Sequence, residues 1–203
     1  MQTRMTHRNP LIDQSLRTNH LSLAIDLLHC LYKGPALILV GHCIHFLLDN
    51  NAYCVLGRLG VASVRQLGLQ QMRTNLYIVY KRAKVSAGGR PLSQLQDLTI
   101  KMIGKAASKA PSFKAAETKH FLGFIQEELA ELAESLPAAE CTSLREALRG
   151  MVQLVDVMDE SPFIPPPAAI QSMHDAYNRF KAGADAAGVR ELPKLHQLLH
   201  FGG

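Results

Sequence analysis

Two pairs of side chains near the start of the chain have the spacing of metal ligands: Asp26 with His29, and His42 with His45. Residues three apart on a helix share a face, and helical di-metal bundles use a carboxylate-x-x-histidine pair to grip a cation. An antiparallel hairpin of residues 18–32 and 36–48 would bring the four together. Such bundles supply several carboxylates, whereas here Asp26 stands alone. The expectation is therefore packing: Asp26 pairs with His29, His42 and His45 are satisfied core groups, and no cofactor is required. A divalent metal on the four is the weaker alternative.

Two further motifs imitate enzymes and fail on chemistry. In "LILVGHC", Cys43 stands where a hydrolase elbow carries its nucleophile, but that strained turn needs a small residue two positions on, and His45 is there. Cys43 is read as inert core. In "HQLLH", His196 and His200 share a helical face, yet Gln197 replaces the glutamate that serves as general base in a zinc protease; the expectation is a terminal helix packing Leu195, Leu198 and Leu199, with a bare two-histidine metal contact as the weaker alternative.

Charge is the broadest signal. Residues 55–116 carry eleven basic side chains against Asp97, and residues 117–160 carry ten acids against three bases. Arg58, Arg65, Arg73, Lys81, Arg82, Lys84 and Arg90 are the candidate phosphate contacts, a set able to give sequence-blind, salt-dependent affinity for nucleic acid. Tyr77 and Tyr80 lie among them, placed to stack on bases. The plain alternative is a solvated face, or an internal partner for the acidic block.

These residues need elements to position them. At 203 residues, 47% hydrophobic and 19% charged, the chain has the balance of a globular protein with a sizeable core. The net charge of +5 allows an anionic partner without demanding one. Four cysteines and no secretory leader point to reduced thiols inside a cell. The longest charge-free apolar run, Pro35 to Leu48, is 14 residues. A bilayer span needs roughly 20, so no membrane span is expected.

Helical periodicity dominates, and the expected fold is all-α. Phe121, Phe124, Ile125, Leu129, Leu132 and Leu136 mark one helix up to Pro137; Leu144, Leu148, Met151, Val152 and Val155 mark a second. Thr142 or Ser143 would cap the second, with Glu146 completing a capping box, so that "PAAE" connects a helical hairpin. "SPFIPPP" reads as a stiff linker, followed by a helix with Ile170, Met173, Tyr177 and Phe180 on one side. "PALILVGHCIHFLL" is ambiguous between buried helix and buried strand, and "LYIVY" (76–80) suggests a short strand, leaving room for one strand pair near 36–80. Residues 1–116 form an N-terminal helical region holding the basic block, and residues 117–203 a C-terminal hairpin with terminal helices; the two can share one domain.

Three segments also carry a family resemblance. "DLLHCLYKG", "PSFKAAETKHFLGF" with the paired helices after it, and "LPKLHQLLH" resemble, in order and spacing over roughly residues 20–201, segments of eukaryotic mobile-element transposases of the KDZ and CACTA types. The resemblance implies the C-terminal helical portion of such a protein and a nuclear location. It also implies kinship with an RNase H-like core, in which carboxylates hold two divalent cations. Asp26 and His29 would then be vestiges of that chemistry. One acid cannot position two metals, so the expected function is a non-catalytic helical domain with affinity for nucleic acid. The runner-up is a protein-interaction module docking through the acidic 117–160 hairpin. A metal-dependent helical enzyme built on Asp26, His29, His42 and His45 is third.

Overall fold

A helix that is apolar on every side belongs in the middle of a bundle, and the first helix has that character. The computed structural model describes residues 31–53, 60–86, 94–104, 111–161 and 165–189, apart from the side chains of residues 84–86. Within them α1 spans Pro35–Asp49, and twelve of its fifteen residues are buried. Pro35 suits the first helical position, where no N–H is needed. Asn50 donates to the carbonyl of Phe46, and Asn51 turns into the left-handed region at φ 47°. The ambiguity over this segment is resolved as helix, and α1 packs against three other helices.

α2 runs from Val61 to Ser86. It buries Leu69, Met72, Leu76 and Tyr80, spaced three or four apart, and turns the opposite side to solvent. "LYIVY" lies inside this helix and is not a strand: aromatic and β-branched residues favour strands only weakly, and the apolar spacing around them is helical. The described residues contain no strand.

α3 (Ala115–Glu131) starts where the Glu117 carboxylate accepts from the Lys114 N–H at 2.7 Å. A 3-10 turn (Ala133–Ser135) leads to Pro137. α4 then runs Ala138–Glu160, so "PAAE" is its beginning and no loop. The expected cap at Thr142 or Ser143 is not made; the Ser143 hydroxyl donates to the carbonyl of Ala139 one turn back, as a serine inside a helix does. Contacts of Lys119 with Asp159 and of Cys141 with Leu129 make α3 and α4 antiparallel, the hairpin expected from the pattern.

α5 (Pro167–Ala186) follows the prolines. It closes on Gly188 at φ 67°, with Val189 N–H bonded to Ala184 and Gly188 N–H to Asp185, the pair of bonds of a Schellman end. α4 and α5 are antiparallel and unusually close. A Cβ added to Gly150 would lie 2.3 Å from the Phe180 nitrogen, and one on Gly183 would lie 2.4 Å from the Ala147 nitrogen. The two backbones touch where the side chains are missing. Buried residues from Leu31 to Val189 form one hydrophobic cluster.

Candidate functional site

The basic residues do not act alike. Arg65, half-buried on α2, pairs with Asp49 at the end of α1 and donates to Nδ1 of His45 at 2.8 Å. A guanidinium can only donate, so Nδ1 accepts and the ring proton sits on Nε2, which faces the carbonyl of Ile103 at 3.3 Å. Asp49, Arg65, His45 and Ile103 thus form one chain of contacts tying α1, α2 and the 101–104 turn together. Arg73 pairs with Asp97 at 3.0 Å, stacks over the Tyr77 ring at 5.4 Å and donates to its hydroxyl at 3.2 Å. Both arginines are taken up locally. Lys81 and Arg82, at the far end of α2, are exposed. Lys84 lies in α2 with its side chain outside the described set, and Arg58 and Arg90 lie outside the described residues.

The two tyrosines do not form a stacking platform. Tyr80 is 4% exposed, and its hydroxyl accepts from the Leu95 N–H at 3.1 Å. The Tyr77 hydroxyl donates to the carbonyl of Gln96 at 2.6 Å. They strap residues 94–99 along α2, which a reading of neighbours in sequence could not reveal.

Asp26 and His29 lie outside the described residues, as do His196 and His200. His42 is half-buried and His45 buried on α1, and both ring nitrogens of His45 are committed. Among the described residues, no group of three or more His, Cys, Asp and Glu is arranged to hold a metal. Cys43 lies in the middle of α1, with no turn beside it, and is buried. Cys141 is buried too, and that burial pushes its thiol pKa up, away from reactivity.

One cluster was missed from the sequence. Glu128 of α3 is 5% exposed. It accepts from the Tyr53 hydroxyl at 2.6 Å and from the Asn75 amide at 3.0 and 3.3 Å. The available signal was its position: Glu128 falls on the apolar stripe with Phe121, Ile125 and Leu132, where a solvated glutamate does not belong. Glu127, Glu131, Glu134 and Glu140 are exposed.

Lys114–Glu117, at 4.0 Å and local in sequence, is a described ion pair that joins the two charge blocks. Arg65 and Arg73 find their acids elsewhere, and Lys119–Asp159 is internal to the acidic block.

The Asp49–Arg65–His45 chain gives a first prediction. Arg65→Ala removes a charged donor from a buried ring and should cost about 1–3 kcal/mol, read as a lowered urea midpoint. Arg65→Lys should recover only part of it, because a single ammonium cannot span both partners as a guanidinium does.

No helix among the described residues is long and apolar enough to cross a membrane. No family model, curated protein or solved structure matches the chain.

Proposed function

We propose that this chain is a non-catalytic helical module, transposase-like in its motifs, that binds nucleic acid through α2 and its flanks. The observation that carries the reading is the composition of α2. Its 26 residues include five bases and no acid. One side is fastened to the bundle by Leu69, Met72, Leu76 and Tyr80, while Lys81 and Arg82 face solvent. A helix without carboxylates approaches phosphates without like-charge repulsion.

Retention of a generic duplex should be clear at low salt and fall steeply as salt rises. In Lys81→Ala/Arg82→Ala the slope of log affinity against log salt should become shallower by about two. Absence of binding at low salt, or binding indifferent to salt, overturns the reading. A second reading rests on the exposed Glu127, Glu131, Glu134 and Glu140 at the α3–α4 end. If that end docks a basic protein, reversing those four charges abolishes capture of the partner while duplex retention persists.

A further inference from the structure

The side of α2 turned away from the bundle carries Leu67, Gln70, Gln71, Thr74, Ile78 and Lys81, all exposed. Each lies three or four residues from the next along the stripe, so they share one helical face. Before Lys81 the stripe has no charge; it offers a partner amides and methyls. One of the amides is held from inside the protein. The buried Glu128 carboxylate accepts from Nδ2 of Asn75 at 3.0 and 3.3 Å, and Oδ1 of Asn75 accepts from Nε2 of Gln71 at 3.0 Å. A carboxylate can only accept, so this chain fixes which way round both amides point. The Tyr53 hydroxyl donates to the same carboxylate at 2.6 Å and steadies it. Gln71 is left with its oxygen and its second N–H. In the major groove, adenine presents the complementary pair, the N6 amino donor beside the N7 acceptor. Among the described hydrogen bonds, none uses the side-chain amide of Gln70. The Thr74 hydroxyl is turned back to the Gln70 carbonyl at 3.0 Å, so its methyl is the group left for a partner.

We propose that this stripe reads adenine–thymine pairs in the major groove of B-form DNA, Gln71 and Gln70 bonding adenine while Leu67, Thr74 and Ile78 pack on thymine methyls. The inference rests on the nucleic-acid reading and adds to it the base pairs that are selected. The groove, about 12 Å wide, admits a helix that is about 10–12 Å across with its side chains. The corresponding groove of A-form RNA is too narrow for side chains to read, so the occupant is DNA. With five bases and no acid, α2 has the charge that suits a groove walled by phosphates. Lys81, at the end of the stripe, meets a phosphate and carries no sequence information. Glu128 and Asn75 are positioning residues: they touch no base and act by orienting Gln71.

Fluorescence anisotropy of the full chain on two duplexes of equal length, one of mixed A·T sequence and one of G·C, tests this over a range of salt. The A·T duplex should bind about tenfold more tightly at each salt concentration. Replacing adenine by 7-deazaadenine, which lacks the N7 acceptor, should remove most of that preference. Replacing thymine by deoxyuridine, which lacks the methyl, should reduce it. Gln71→Ala and Gln70→Ala should each lower the preference and leave the salt slope unchanged. Lys81→Ala should make the slope shallower by about one and keep the preference. The base analogues leave the protein untouched, so they decide even if a variant folds poorly. Salt-dependent binding that is equal on the two sequences overturns the inference and leaves the nucleic-acid reading standing. A preference indifferent to 7-deazaadenine belongs to the minor groove or to DNA shape and overturns it as well. Absence of binding to either duplex at low salt overturns both.

Discussion

Gly150→Ala and Gly183→Ala should each destabilise the protein by about 3 kcal/mol, although alanine is the better helix former. In an open helix the exchange gains about 1 kcal/mol. Here the new methyl of Gly150→Ala meets the Phe180 nitrogen at 2.3 Å and the Ala176 oxygen at 2.7 Å. That of Gly183→Ala meets the Ala147 nitrogen at 2.4 Å and the Ser143 oxygen at 2.7 Å. The obstructions are backbone, so no side chain can rotate away, and α4 and α5 must separate. For a chain of this size the loss corresponds to a drop in Tm of roughly 6–12 °C. The double variant should cost less than the sum, because helices forced apart at one site already admit a methyl at the other. Gly123 is the internal control. It is an exposed residue of α3 with nothing within 4 Å of an added Cβ, so Gly123→Ala should be neutral or stabilise by up to about 1 kcal/mol. Equal effects at Gly123 and Gly150 in calorimetry would refute the close approach.

Phe121→Ala should cost about 3–5 kcal/mol. Phe121 is fully buried, 5.2 Å from the ring of Phe113 and 5.1 Å from that of Phe124. Aromatic pairs in such tilted and edge arrangements add about 0.5–1.5 kcal/mol to the area they bury. Removing the central ring breaks both pairs and leaves a cavity between α3 and the segment before it. Lys33 adds a tether at that point, donating to the carbonyl of Phe113 at 2.5 Å. Phe121→Leu should cost markedly less, since most of the volume remains. A urea series that ranks the wild type above Phe121→Leu, and Phe121→Leu well above Phe121→Ala, is the expected outcome; an unaffected alanine variant would exclude Phe121 from the core.

The same phenylalanines belong to "PSFKAAETKHFLGF", one of the segments from which the expectation of a transposase-like chain was drawn. Their place in the structure accounts for that pattern by packing alone, without reference to DNA. A spacing of aromatics that fills the contact between two elements can recur wherever the contact recurs.

The helices of the C-terminal half were legible because each repeats its apolar residues over several turns. Where the reading went astray, the deciding interaction lay outside the motif itself. Tyr80 looked like a surface ring until the Leu95 N–H covered its hydroxyl; "LYIVY" looked like a strand when separated from Leu69 and Met72. The cap of α4 was placed too late because Pro137 reads equally as the end of one helix and the entrance to the next. The polar clusters were not legible at all. Glu128 meets Tyr53 across 75 positions and Asn75 across 53, and no local period records a bond of that reach. Two blocks of opposite charge were visible in the sequence, but which cations are spent at home was not: Arg65 and Arg73 have an acid brought to them by folding.

The ends of α5 have a consequence for its seam with α4. Prolines precede its first turn and Gly188 closes its last, so the helix can neither lengthen backward nor run on. Its twenty residues span about 30 Å and are pinned at both limits. Sliding by one residue would turn its surface by about 100° and carry Gly183 off Ala147, presenting a larger neighbour to a slot with no room. The notches and the stops together make a ratchet with one tooth engaged: a single alignment is permitted, and the hairpin is locked in position by what its helices lack.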